Sequence, residues 1–499
     1  MTTTGQSLAE RHAAAAATLP DAHVDDLFID GEYRRAAGGE RTALVDPATD
    51  VAWGSVPVAV GADVDAAVAA ARRAFTGWRA RTPSERARLM LAMADGIERR
   101  AASLTTTSTL ENGSPVAETA GVAANAARIL RHFASLAGWL EQPDLRPSPL
   151  DPAIETSVHL DPVGVCALIA PWNFPINLVL IKLAPALLAG CTVVIKPAPS
   201  TPLSIRTVID AAVEAGIPAG VVNLVTGDGA VGDLLVRHPD VDKVAFTGST
   251  AVGRRVAAAC GELLRPVTLE LGGKSTAIVL PDVDLDQLAG ALLRGCLRNT
   301  GQTCFVSARM VVTADRYDEV VELAAETVAA APIGDPLDDA TVFGPLATSA
   351  QQAVVRGYIR SGIDEGARVA TGGDVPAPLD PGAWVTPTVF ADVEPGMRIA
   401  REEIFGPVLA ILRAEDVDDA VALANATDFG LGGIVFGGDG QRAFEVARRV
   451  DTGSIGLGFF AANPAAPFGG RRDSGLGVEY GVEGLSQYLT PQSVHRWRR

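Results

Sequence analysis

The stretch "VGVCALIAPWNFPINLVLIKLAPALLAGCTVVIKP" (residues 163–197) carries the pattern on which the fold turns. "VGVCALIAP" and "CTVVIKP" are short continuous apolar runs, as strands buried on both faces require, and "NLVLIKLAPALLAG" between them reads as a helix. The alternation continues downstream. "GVVNLVTG" (220–227) and "VDKVAFTG" (241–248) are further short apolar strands, while "TPLSIRTVIDAAVEAG" (201–216) and "AVGDLLVRHPD" (230–240) read as the helices between them. This βαβαβαβ rhythm predicts an α/β unit, a parallel sheet covered by helices on both faces.

Working outward, residues up to about Asp26 read as a flexible or loosely docked arm. From "VDDLFIDGEYRRA" (24–36) short strands with glycine turns give way to helical periodicity. "ADVDAAVAAARRAFTGW" (62–78) and "TPSERARLMLAMADGIERRAASLTTT" (82–107) are the clearest helices, the second with Thr82 as N-cap, Pro83 in its first turn and Glu85 close behind. "EQPDLRPSPLDPAIE" (141–155) is too proline-rich for a helix and leads into "TSVHLDPVGVCALIAP" (156–171), which reads as strand, turn, strand. "VTLELGGKSTAIVL" (267–280) opens another region, and "SARMVVTADRYDEVVELAAETVAAA" (307–331) starts a second α/β unit ending near "FGGRRDSGLG" (468–477). The tail "GLSQYLTPQSVHRW" (484–497) reads as a polar strand in want of a partner sheet, one that another subunit could supply.

Composition excludes several function classes. The 499 residues suffice for roughly three ordinary domains or two large ones. With 48% hydrophobic residues but only 5% aromatics, the core must be aliphatic and alanine-packed, which suits a globular α/β protein and argues against disorder. A net charge of -17 disfavours nucleic acid or an anionic membrane as partner, and any anionic cofactor must meet a locally positive site. The five cysteines, Cys166, Cys191, Cys260, Cys296 and Cys304, are scattered, and no C-x-x-C or H-E-x-x-H spacing supports a metal or a disulfide framework. A reducing, cytoplasmic compartment is the expectation, with neither a signal sequence nor an apolar run long enough to span a membrane.

Several residues stand out, each with an ordinary alternative. "VTGDGAVGDLL" matches G-x-G-x-x-G at Gly227, Gly229 and Gly232, but the following strand ends in Phe246-Thr247-Gly248 where a ribose-binding acid belongs, so a plain glycine turn is the better reading. "FTGSTAVG" places Gly248, Ser249 and Thr250 between a strand and a helix, as an anion site or an ordinary turn would. Lys196 closes an apolar strand where α/β sheets bind ligands, either for a cofactor phosphate or ribose or as a surface lysine. In "APWNFPINL" Pro171 and Pro175 stiffen a loop holding Trp172, Asn173 and Phe174. Asn173 is either a donor aimed at developing charge or a helix cap. Glu270 in "TLELGGKS" faces opposite to Leu269 and Leu271 and reads either as a general base in semi-apolar surroundings or as a paired structural carboxylate. Cys304, in "LRNTGQTCFVSARMVV", could be a core residue, a disulfide half, a metal ligand or a nucleophile.

The motifs "PWNFP", "KPAPSTPLS", "FTGSTAVG", "LELGGKS", "GQTCF", "EEIFGPV" and "PFGGRRDSGLG", in this order, closely resemble those of the aldehyde dehydrogenase superfamily, and the resemblance runs from about Leu27 to Val494. It implies a Rossmann-like dinucleotide-binding domain (27–148 and 163–271), a second α/β catalytic domain (272–475) and a small β oligomerisation element (149–162 and 484–499) of a homodimer or homotetramer. By the same likeness Cys304 is the nucleophile, Asn173 and the Cys304 backbone N–H form an oxyanion hole, and Glu270 activates the water that hydrolyses the thioester. Trp172, Lys196, Gly248, Ser249, Glu403 and Phe405 fall on cofactor-binding positions.

Departures from the family pattern leave specificity less determined. Pro199 stands where NAD-preferring members often carry a ribose-gripping glutamate, so NAD is the expected cofactor with NADP admitted. Gly458 lies near the place of a common asparagine, and Ile181 replaces a bulky aromatic of some members. Phe174, Phe459, Phe460 and Phe468 suggest an apolar tunnel for a small apolar or aromatic aldehyde. The alternatives are a coenzyme A-acylating relative, against which Glu270 weighs, and a silent binding protein of the same fold.

Overall fold

The computed structural model describes residues 6–19, 26–373, 379 and 381–498. Its larger sheet has eight strands, in the order Glu32–Arg35, Asp26–Ile29, Val222–Leu224, Thr192–Lys196, Val165–Ile169, Lys243–Thr247, Val267–Glu270 and Gly475–Leu476. The inner five are parallel. Every residue of Val165–Ile169, Thr192–Lys196 and Lys243–Thr247 is buried, which is why these segments read as unbroken apolar runs. Alternation is still present, but it sorts side chains between two cores. Cys166, Leu168, Val193 and Ile195 face the helices Pro83–Glu98, Val122–Ser135 and Pro175–Ala189. Val165, Ala167, Ile169, Val194 and Val244 face Gly61–Arg79 on the other side.

From Val165–Ile169 the chain steps outward through two strands, then returns to the opposite side with Lys243–Thr247. The connections therefore diverge between the carboxyl ends of Val165–Ile169 and Lys243–Thr247, the switch point at which open α/β sheets hold ligands. Trp172–Asn173 and Gly248–Ser249 emerge there.

Between Glu270 and Thr276 the chain crosses into a second sheet. Its order is Arg368–Thr371, Thr388–Ala391, Val408–Ala414, Arg309–Thr313, Thr276–Val279, Gly433–Phe436 and Gly456–Leu457, and only the first pair is antiparallel. The chain then comes back to the first sheet, where Gly475–Leu476 pairs antiparallel with Leu269–Glu270.

Three readings change. The tail strand Leu489–Trp497 finds its partner within its own chain, pairing along its whole length with Ile154–Pro162, and Asp144–Pro147 completes a three-stranded sheet. Ile154–Pro162 and Val165–Ile169 are the expected strand, turn and strand, but they belong to two different sheets, and Asp144–Pro147 belongs with the small one. Residues 82–107 do not form one helix. Thr82 caps Pro83–Glu98, its Oγ1 accepting from Glu85 N at 3.1 Å while Glu85 Oε2 accepts from Thr82 N at 2.8 Å, and a break at Arg100 starts a new helix, Ala101–Asn112.

The stretch expected to be an arm contains the helix Leu8–Ala16, with Ser7 and Glu10 as its capping box. His12 docks it. Only 3% exposed, it contacts Asp46 at 2.7 Å and Asp335 at 2.9 Å, and so ties the hairpin Arg41–Pro57 to the segment following the second unit's helix Tyr317–Ala330. Residues 1–5 and 20–25 of that stretch lie outside the described residues.

Candidate active site

The helix Pro175–Ala189 begins at Pro175 with Phe174 in the cap position, so Asn173 is not its N-cap. Instead Asn173, 4% exposed, donates from Nδ2 to the Gln302 carbonyl at 3.0 Å. Its own carbonyl accepts from Asn299 Nδ2 at 3.3 Å and Asn112 Nδ2 at 3.4 Å. Gln302 lies two residues before Cys304, so this bond brings the two motifs together across 129 residues of sequence.

Cys304 sits between the helix Leu285–Cys296 and the strand Arg309–Thr313. The approach is a run of left-handed backbone, with φ of 53° at Asn299, 54° at Thr300 and 73° at Gly301. Such a run is costly for non-glycine residues and survives only where the surroundings impose it. Cys304 is partly exposed, whereas the other four cysteines are buried and all five are free thiols. The disulfide reading therefore fails, and the core reading fits the other four. Burial and the neighbouring Glu403 and Glu270 carboxylates push the Cys304 thiol above its ordinary pKa, opposed by backbone N–H groups at Cys304 and Phe305.

Glu270 ends the strand Val267–Glu270 beside Thr247. It is 4% exposed, and among the described residues neither carboxylate oxygen has a hydrogen-bond partner. Burial and the nearby Glu479 carboxylate hold its pKa well above the usual range, with Lys182 acting against them. Lys182, fully buried, spends its charge elsewhere, donating to Glu479 Oε1 and to Thr247 Oγ1, each at 2.6 Å. A paired structural carboxylate would have a cation at hydrogen-bond distance, and Glu270 has none among the described residues. Glu270 is a buried acid near enough to Cys304 to push that thiol's pKa up.

The residues assigned to cofactor binding gather around the switch point. Lys196, 5% exposed, donates to the Pro197 carbonyl at 3.0 Å, and burial lowers its pKa to about 8. Ser249 precedes the helix Thr250–Glu262 without capping it through its side chain, which leaves the helix's first N–H groups available. The glycine fingerprint at Gly227 behaves differently. Asp228 caps the helix Gly229–Arg237, accepting from Ala230 N at 2.9 Å, so a carboxylate already occupies the place of a phosphate. Across the cleft Glu403 accepts from Gly273 N at 3.0 Å, its pKa raised to about 7 by burial. Phe405, at φ 56°, sets its ring edge-on to Trp172 with centroids 5.3 Å apart. A buried amine, an uncapped helix start, a carboxylate able to accept ribose hydroxyls and an aromatic pair fit a dinucleotide.

The phenylalanines divide. Phe460 stacks on Phe305 at 4.6 Å and Phe468 meets the same ring edge-on at 6.3 Å. Phe174 lies under the Arg298 guanidinium at 5.3 Å, while Phe459 is 64% exposed. Ile181 is packed into the core of the first unit.

Sequence reading missed Phe305, Asn112, Ser114, Asn299, Lys182 and Glu479, and also Lys274. The last is buried with no partner for Nζ, its pKa lowered to about 7 by burial and by Arg309. An adjacent aromatic could have marked Phe305. The others are polar residues in helices and turns with nothing local to distinguish them. Among the described residues no cluster of histidine, cysteine and acidic side chains could hold a metal, and no helix is long and apolar enough to cross a membrane.

Comparison with known proteins agrees with this geometry. The profile of the "Aldehyde dehydrogenase family" matches residues 33–494. The geranial dehydrogenase of Castellaniella defragrans is 46% identical over 94% of this chain and 98% of its own length. Betaine aldehyde dehydrogenase 1 of Rhizobium meliloti is 40% identical over 94% of this chain and 96% of its own. Among solved structures, a mutant of aldehyde dehydrogenase C from Pseudomonas syringae, in complex with NAD+ and octanal, superposes with a TM-score of 0.90 at 39% identity, covering 95% of this chain and 97% of that one. The aldehyde dehydrogenase of Mycobacterium tuberculosis complexed with NAD+ also gives 0.90, at 40% identity over 94% and 97% of the two chains. The chain belongs to the aldehyde dehydrogenase family and is an NAD(P)-dependent enzyme of aldehyde oxidation.

Proposed function

We propose that this enzyme oxidises an apolar aldehyde to the free carboxylic acid through a covalent intermediate on Cys304. An aldehyde has no leaving group, so hydride can depart only once the carbon is tetrahedral and carries an electron-rich oxygen. Cys304 gives its thiol proton to Glu270, which passes it on to water, and the thiolate forms the S–C bond while the carbonyl oxygen becomes an oxyanion. The second hydrogen of Asn173 Nδ2 and the Cys304 backbone N–H stabilise that oxygen. Lys196, Gly248 and Ser249 would hold the phosphate and ribose end of a dinucleotide, with Trp172, Glu403 and Phe405 at the nicotinamide end. What the dinucleotide supplies when bound is the acceptor for the hydride. As hydride leaves, the oxygen's electron pair restores C=O and a thioester remains. Glu270 then takes a proton from water, which attacks the thioester carbon and releases the acid and the thiol.

The observation that carries this reading is the unpaired, buried Glu270 next to a partly exposed thiol. A carboxylate with a raised pKa is a stronger base, and one without hydrogen bonds is free to bind water. It also favours hydrolysis over acyl transfer to coenzyme A.

The Phe305, Phe460 and Phe468 cluster supports an apolar or aromatic substrate, in keeping with relatives named for geranial or crystallised with octanal. NAD is the proposed cofactor, because two of the similar solved structures contain it, with NADP admitted by Pro199. The small sheet supports a homodimer or homotetramer. All of Leu489–Trp497 beyond Leu489 is exposed, with Trp497 at 68% and Val494 at 45%, so these two apolar side chains lack cover among the described residues. Free thiols throughout accord with a reducing, cytoplasmic compartment. A spectrophotometric screen of aliphatic, aromatic and quaternary-ammonium aldehydes with NAD and NADP tests the reading. Turnover of the charged aldehydes alone, or none without coenzyme A, would overturn it.

A further inference from the structure

We propose that the turn Asn112–Ser114, together with Asn299, is a positioning device that sets the oxyanion donor Asn173 against Cys304. The proposal rests on the oxyanion reading of Asn173 given above. The helix Ala101–Asn112 ends because Gly113 is left-handed, with φ of 73°, and a side chain there would run into Pro345. That stop aims two buried side chains, Asn112 at 2% and Ser114 at 3% exposure, into the gap between the catalytic loops.

Asn112 Nδ2 donates to the carbonyls of Trp172 at 3.1 Å and Asn173 at 3.4 Å, while its Oδ1 accepts from Ser114 N at 3.0 Å. Ser114 Oγ donates to Asn299 Oδ1 at 2.6 Å, and this fixes which way the Asn299 amide points. Asn299 Nδ2 then donates to the same Asn173 carbonyl at 3.3 Å. One peptide oxygen thus receives two amides. The peptide it belongs to carries the side chain whose Nδ2 spends one hydrogen on Gln302 and has one left for substrate. Asn299 also opens the left-handed run that leads to Cys304. The network therefore grips Asn173 directly, with two amides on its one carbonyl.

A core that only had to be filled would not use three buried polar side chains whose every bond must be satisfied. Asn112 bonds the Trp172 and Asn173 carbonyls and Ser114 bonds Asn299, which holds the Asn173 carbonyl in turn, so both act on the donor by way of Asn173.

The test is a double-mutant cycle read by single-turnover formation of reduced cofactor. Ser114→Ala frees the Asn299 amide, and loss of donor alignment should slow hydride transfer about tenfold, against about a hundredfold or more for Asn173→Ala, which removes the donor itself. In the Asn173→Ala background the Ser114→Ala step should change the rate by less than about twofold, since the donor it positions is gone. The KM for NAD should not move, and Ser114→Thr, which keeps a hydroxyl, should recover most of the rate. Two equal, additive losses would overturn the positioning role while leaving the oxyanion reading intact. An Asn173→Ala enzyme with unchanged hydride transfer would instead overturn the oxyanion reading. If Ser114→Ala does not fold, Asn112→Ala gives the equivalent cycle, because it removes the other amide from the Asn173 carbonyl.

Discussion

Replacing Glu270 with glutamine separates the two halves of the reaction. The substitution keeps shape and removes a carboxyl group that makes no hydrogen bond, so no partner is orphaned. Cys304, Asn173 and the cofactor residues remain, and one hydride should still be transferred per active site. Deacylation loses its base, which typically costs 10²–10⁴-fold, or about 2.7–5.5 kcal/mol of barrier. Two further consequences follow from the surroundings. Burial first, then Glu403 and Glu270, raise the Cys304 pKa, so removing one of those carboxylates should move the thiol's titration to lower pH. Because the Glu270 pKa is raised in the folded protein, its ionisation opposes folding as pH climbs above the ordinary glutamate value, and Glu270→Gln should be the more heat-stable protein at neutral pH. Rapid mixing with aldehyde and NAD should show a burst of reduced cofactor near the enzyme concentration, then a steady state slower by about 10²–10⁴-fold. The burst rate should rise with pH while the steady state stays impaired. Wild-type steady-state turnover, or product only with coenzyme A, would refute the reasoning.

Cys304→Ala should abolish oxidation and leave NAD binding by fluorescence nearly unchanged, whereas alanine at Cys166, Cys191, Cys260 or Cys296 should cost about 1 kcal/mol of stability and little activity. Pro199→Glu should raise the preference for NAD over NADP by about tenfold, or about 1.4 kcal/mol, in kcat/KM with each cofactor; unchanged selectivity would place the adenosine ribose elsewhere. Burial pulls the His12 pKa down, but Asp335 and Asp46 more than offset it and raise it from 6.5 to about 9. Its stabilisation, up to roughly 3 kcal/mol, is then full below about pH 6.5 and lost as pH rises through about 9. The melting-temperature gap between wild type and His12→Gln should accordingly be wide at pH 6 and narrow at pH 10. A gap that ignores pH would sink the helix-docking role.

Legibility in the sequence followed the range of the interactions. Strands such as Val165–Ile169 and Thr192–Lys196 were readable because burial on both faces leaves a local signature. Cys304 and Glu270 stand out in the sequence through their motifs, and the structure adds that Glu270 has no hydrogen-bonded partner among the described residues. The Leu489–Trp497 strand hid its partner because pairing such as Arg496 with Glu155 spans 341 residues and no local rule anticipates it. Ser114 and Asn299 were invisible for the same reason, being 185 residues apart. The glycine fingerprint at Gly227 shows the converse, a motif emptied by its neighbour Asp228. His12 stood in an alanine-rich stretch whose composition said nothing about the two aspartates awaiting it.

The central claim is that the aldehyde carbon becomes bonded to Cys304 and is oxidised there. The most direct measurement is the mass of Glu270→Gln quenched in acid during its slow steady state with aldehyde and NAD. One adduct per chain is expected, equal to the aldehyde less two hydrogens, on the peptide that contains Cys304. An unmodified protein that has nonetheless released its burst of reduced cofactor, or an adduct on any other residue, would contradict it.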